Sequence, residues 1–324
     1  MRVTAAVVVL VGLIAAAGAA GAAALDRART FPTSVTALDL SGQAVATATA
    51  WAPGHCESVG LWSPDVRAAY TFQAPGPCPR TSTGRGIAAV ATSYNRVLWL
   101  AYAGGNTRDW TLWTATRRAH RPLKLRFASA PVDAPAPIVL GNGDVGFIPY
   151  AVGADVVVVS DTGARVLSWH APARVTALTS WGEDVGVLLE TGHVEVVASR
   201  GGHQTVTDYD YAPGEVRAFR IAKLGAIVQT ADDIEIRTPT KTTPLGLGPR
   251  ARLIAFADGN VVYALGSEIR DYKRPSGADV LFRRVKPPFL ADFDSGGLAW
   301  SVGRQVCFSV RSYVESPLVR APGC

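Results

Sequence analysis

The residues able to do chemistry are few and scattered. Five histidines, His55, His120, His170, His193 and His203, are the bases that titrate near neutrality. No G-x-S-x-G turn is present to expose a nucleophilic serine beside one of them. Carboxylates are better supplied, with Asp208, Asp210, Glu215, Asp232, Asp233, Asp292 and Asp294. Glycoside hydrolysis needs two of these facing each other across a bond, which spacing along one chain does not establish. The stretch Asp292-Phe-Asp-Ser-Gly-Gly297 has the alternating acids of a calcium loop. It lacks a third ligand position and a closing Glu, so it reads as a strand-end turn with solvated carboxylates. No catalytic residue, metal site or cofactor is assigned, and a non-enzymatic role is the first expectation.

Four cysteines carry the remaining reactive chemistry: Cys56, Cys78, Cys307 and Cys324. No C-x-x-C spacing exists, and His55-Cys56 has no matching Cys-His pair, so zinc is not expected. Two local disulfides, Cys56–Cys78 and Cys307–Cys324, fit the spacing. Each would close a loop of about 20 residues and contribute roughly 3 kcal/mol. A crossed pairing that joins the chain ends is the open alternative.

Two other clusters stand out. The run Arg117-Arg-Ala-His-Arg-Pro-Leu-Lys-Leu-Arg126 is the densest charge in the chain. It reads as a solvated hairpin guarding an edge strand, with contact to anionic lipid or an acidic polymer as the alternative. Trp99, Tyr102, Trp110 and Trp113 lie just before it. They read as core wedges, with a sugar-stacking platform as the alternative.

The elements that position these residues begin with export. Residues 5–25 carry no charge, Arg2 precedes them, and Ala22-Ala-Ala24 offers a cleavage site. Residues 1–24 are therefore expected to be a signal peptide. A run of this length also serves as an uncleaved membrane anchor, so residues 5–25 are the one expected membrane contact. Either way the rest of the chain is expected outside the cytoplasm, extracellular or in the periplasm or cell envelope. This compartment permits disulfides. The formal net charge of +6 is mild for 324 residues and does not argue for a nucleic-acid partner, which wants an extended basic surface. Among 32 basic residues only five are Lys, a bias that fits GC-rich codons and a bacterial source.

Beyond the leader a module repeats. Val35-Thr-Ala-Leu38, Ile87-Ala-Ala-Val90, Ile138-Val-Leu140, Val175-Thr-Ala-Leu178, Val216-Arg-Ala-Phe219, Leu253-Ile-Ala-Phe256 and Leu290-Ala-Asp-Phe293 begin seven units. The last five starts are 37, 41, 37 and 37 residues apart; the first two units are longer. Each unit reads as four short strands joined by Gly-containing turns. Asp155–Ser160 and Arg96–Tyr102 are apolar in both phases, as strands covered on both faces should be. No sustained 3.6-residue period follows residue 25. The prediction is an all-β chain: one β-propeller over residues 34–324, with seven four-stranded antiparallel blades.

The modules resemble blades of the propeller superfamily that includes WD-repeat-like, NHL-like and quinoprotein-like proteins. The segment Arg96–Thr116 resembles blades of uncharacterised exported bacterial propellers. The resemblance implies a closed, monomeric ring whose ligand sits at one channel mouth, and it assigns no function. The loops that join strands 2 and 3 of a blade, or one blade to the next, share that mouth. They place Asn106, Arg108, Glu190, His193, Asp232, Arg250 and Arg304 there as candidate ligand-binding residues. The leading reading is an exported scaffold for a protein, peptide or envelope polymer. The alternatives are an enzyme acting on a polysaccharide or quinone-linked substrate, and a membrane-anchored sensor. A pocket with close, perturbed carboxylates would favour the enzyme.

Overall fold

A computed structural model describes residues 27–324, apart from 66–67, 73–83, 120, 132–133, 135, 137, 199–203, 223–224, 258, 275, 295–296 and 311–323. The expected leader, Cys78, His120 and His203 lie outside the described residues. Among the described residues there is no helix, and the strands form seven four-stranded sheets.

Strand β1 (Arg27–Thr30) leads into blade 1, formed by β2 (Val35–Ser41), β3 (Ala44–Thr49), β4 (Val59–Ser63) and β5 (Ala68–Phe72). Blade 2 is β6 (Arg85–Ser93), β7 (Arg96–Ala103), β8 (Thr107–Thr116) and β9 (Leu123–Pro131). Blade 3 is β10 (Ile138–Leu140), β11 (Phe147–Val152), β12 (Asp155–Ser160) and β13 (Arg165–His170). Blade 4 is β14 (Val175–Trp181), β15 (Asp184–Leu189), β16 (Val194–Ala198) and β17 (Gln204–Tyr209). Blade 5 is β18 (Ala218–Ala222), β19 (Gly225–Gln229), β20 (Ile234–Thr238) and β21 (Lys241–Pro244). Blade 6 is β22 (Ala251–Ala257), β23 (Asn260–Leu265), β24 (Glu268–Lys273) and β25 (Ala278–Arg284). Blade 7 is β26 (Leu290–Asp294), β27 (Gly297–Val302) and β28 (Gln305–Val310), completed by β1 as its outer strand.

All pairings are antiparallel and join sequential strands, save that β1 pairs, also antiparallel, with β28, Ala28 opposite Cys307. The chain is thus a seven-bladed β-propeller whose first strand closes the last blade. Closure leaves no blade short of its outer strand, which protects edges that would otherwise seek partners.

Packing explains the strand composition. Among the described residues are seven apolar clusters, one at each junction between neighbouring blades. Both faces of a middle strand are therefore covered, and β3 and β4 are buried along their whole length. Apolar residues in both phases follow directly. The outer strand β9 is mostly exposed, as the gradient from channel to rim requires. Phe31, Leu40 and Trp62 pack on Ala299 and Phe308 at the seam between blades 1 and 7.

Gly192 shows why the turn residues matter. Its φ is 100°, and a Cβ there would lie 2.1 Å from the carbonyl oxygen of Tyr211. Only glycine lets the β15–β16 hairpin approach the loop into blade 5. Near the end of the chain, Cys307 of β28 is disulfide-bonded to Cys324, with a Cα–Cα separation of 6.0 Å. This is the local pairing, not the crossed one. Cys56 is also disulfide-bonded.

Candidate functional site

Alternating strand direction puts the loops between strands 2 and 3, and between blades, on one face of the ring. The loops between strands 1 and 2, and 3 and 4, lie on the other. All seven candidate residues belong to the first face, but they do not converge on one point. Arg304 belongs to the seam: its Nε donates to the Phe31 carbonyl at 3.0 Å. Glu190 pairs with Arg174 at 3.0 Å, its neighbour across the start of the blade. His193 Nδ1 bonds Asp208 at 3.1 Å, with Asp210 3.7 Å from Nε2. The bond and charge of Asp208 raise the His193 pKa. Asn106, Asp232 and Arg250 are exposed. Beside Asp232, it is Asp233 that has a structural task, accepting the backbone N–H groups of Gly246, Leu247 and Gly248 at 2.7–3.1 Å.

Arg108 stands next to a groove on this face. Its guanidinium lies 4.7 Å from the centre of the Tyr102 ring. Tyr102 borders a cavity of about 210 Å³ between blades 1 and 2. The cavity is floored by Trp99, which stacks on Phe72 at 6.2 Å and on Trp113 at 6.5 Å. Trp99 and Trp110 are buried core, as expected, while Tyr102 and Trp113 are half-buried and line the groove. The wall carries an ion pair between Arg85 and the buried Glu57, 2.8 Å apart. Asp109 also lines the cavity and accepts from Ser129 at 2.8 Å. The groove therefore offers aromatic faces flanked by both signs of charge. Glu57 escaped sequence reading because a single Glu beside a disulfide cysteine has no motif. Its one signal was position, in the long loop between β3 and β4.

The opposite mouth holds a different set. It includes Asp39 of β2, Asn142 just after β10, Arg220 of β18 and Asp292 of β26. Asp292 Oδ2 accepts the Leu40 N–H at 2.7 Å, and Asp39 Oδ2 accepts the Thr92 N–H at 2.6 Å. Asp294 accepts the Gly42 N–H at 2.5 Å, and Asp144 accepts the Gly182 N–H. Each carboxylate thus bonds the backbone of the next blade, across the junctions 7–1, 1–2 and 3–4. The Asn142 amide, oriented by its partners, donates to Asp39 Oδ1 at 3.2 Å and accepts from Arg220 Nη2 at 3.1 Å. A polar chain from blade 5 through blade 3 to blade 1 spans the channel.

This arrangement corrects the reading of Asp292 and Asp294 as solvated turn residues. Asp292 is only 5% exposed and Asp39 only 1%. Burial, and then the charge of Asp292, push Asp39 well up. Burial pushes Asp292 up to about 6 against the pull of Arg220. Perturbed, neighbouring carboxylates are the mark that would favour an enzyme. Here their oxygens are engaged by neighbouring backbone amides and closed off from a substrate, so the perturbation reports a joint between blades.

No family model and no curated protein matches the chain. Solved structures do match. One chain in the crystal structure of the mitotic checkpoint complex aligns at 12% identity with a TM-score of 0.55, over 88% of this chain and 91% of that one. A computationally designed protein, Ika8, aligns at 14% identity and a TM-score of 0.48, over 89% and 98%. The first alignment shows a shared propeller fold and nothing finer.

Proposed function

We propose that this propeller is an exported, non-enzymatic interaction scaffold that takes a protein, peptide or envelope polymer into the groove between blades 1 and 2. The observation that carries this reading is the groove itself: Tyr102 and Trp113 half-exposed over a Trp99 floor, between Glu57–Arg85 and Asp109. Aromatic side chains give a large contact area at little entropic cost and are enriched where proteins bind chains of mixed polarity. The charge-free run 5–25 after Arg2 supports export, and the Cys307–Cys324 disulfide fits an oxidising compartment.

The test is retention. Tagged protein isolated with its native envelope should carry a bound component that Tyr102→Ala and Asp109→Lys variants of unchanged Tm lose. If both variants retain it, the groove is not the binding surface. Amino-terminal sequencing of the exported protein should begin near Leu25. A start at Met1 would instead make residues 5–25 an anchor.

A further inference from the structure

The arginine-rich turn between β8 and β9 takes no part in that groove, because it lies on the opposite face. There it joins the start of β7 and the β12–β13 turn of blade 3 around a cavity of about 460 Å³. This volume is in the range of small-ligand sites. Among the described residues, Arg96, Arg117, Arg118 and Arg121 line it, against a single carboxylate, Asp161.

The four arginines are not equivalent. Arg96 is 8% exposed and fixed in place. Its Nη1 donates to Thr114 Oγ1 at 2.9 Å and its Nε to the Asp161 carbonyl at 3.2 Å. Arg117 lies over the Tyr94 ring at 4.6 Å. Its Nε and Nη2 are shielded from solvent and have no hydrogen-bond partner among the described residues. Arg118 and Arg121 are exposed on the turn. Leu123, 62% exposed, forms an apolar lip.

Shielded guanidinium N–H groups without acceptors are costly, and several like charges around one cavity repel. An anion in the cavity relieves both. Planar guanidinium forks match tetrahedral and carboxylate oxyanions in bidentate fashion. Four guanidinium groups against one carboxylate favour a dianion over a monoanion. We propose that this pocket binds a phosphate-type oxyanion, presented by a small phosphate ester or by the repeated phosphates of an anionic polymer.

Calorimetric titration of the purified chain at low ionic strength tests this, using inorganic phosphate, phenyl phosphate and a short polyphosphate as probes. Saturable binding of at least one probe is expected. It should weaken at least about tenfold in Arg117→Gln and in Arg118→Gln, and stay unchanged in Glu190→Gln on the other face. Arg118 is exposed, so its variant folds even if Arg117→Gln does not. Phenyl phosphate binding as tightly per site as polyphosphate would point to a small ester; a clear polyphosphate preference would point to a polymer. The proposal is overturned if no probe saturates, if chloride at equal ionic strength competes as well as phosphate, or if both arginine variants bind like the wild type.

Discussion

The two mouths of the ring use the same residue types to opposite ends. At one, Glu190 meets Arg174 and His193 meets Asp208 in water, at the tips of loops. At the other, Asp39 and Asp292 are buried and bond the backbone of the next blade. An exposed ion pair contributes little, because water already solvates both partners. A buried carboxylate accepting an amide contributes more, because removal strands a donor where no water reaches. Charge at the first mouth is thus available to a partner, and the buried carboxyl oxygens at the second hold the ring shut through hydrogen bonds.

Four perturbations separate the mouths, from the largest effect to the smallest. Arg220→Met leaves Asp39 and Asp292 without their shared cation and Asn142 without a donor. Chemical denaturation should show a loss of about 3 kcal/mol. Asp39→Ala strands the Thr92 N–H and the Asn142 amide and should cost about 2 kcal/mol by the same measurement.

The third perturbation is pH. The Asp292 pKa is about 6 in the fold against an ordinary 3.8. The folded state therefore holds more protons than the unfolded state between these values. This contribution to stability is complete below about 4 and lost as pH rises through about 6. Across that window the Tm of the wild type should fall by a few degrees relative to Asp292→Asn. A parallel course for the two proteins would remove Asp292 from the joint. Last, Glu190→Ala should change stability by less than about 1 kcal/mol. A loss as large as that of Asp39→Ala would erase the contrast between the mouths.

The contrast also separates what a sequence displays from what it hides. The blades were legible because each is local: four strands, their turns and the both-phase apolar runs lie within about 40 residues. All seven units read in that way as four-stranded. The seventh differs in the structure, because its outer strand is β1, at the far end of the chain. The latch from Asp292 to Leu40 spans 252 residues. In sequence, Asp292-Phe-Asp294 looks like any polar turn; only ring closure brings the blade 1 backbone against it. Six of the seven candidate residues lie in loops of the first face, and Arg108 lies just inside β8. Which of them were already committed, as Arg304 is to Phe31, depends on contacts that cross the seam. The groove was half-visible, through Trp99, Tyr102 and Trp113, and lacked Glu57.

The most direct test maps contacts on the two faces in the native envelope. A photo-crosslinking residue at Asn106 sits on the rim beside the groove, and one at Val145 sits in an exposed turn of the opposite face. Position 106 is expected to give a discrete adduct that Tyr102→Ala abolishes, with the same species absent from position 145. Crosslinking to one species with equal yield from both positions, or from 145 alone, would contradict binding in the groove.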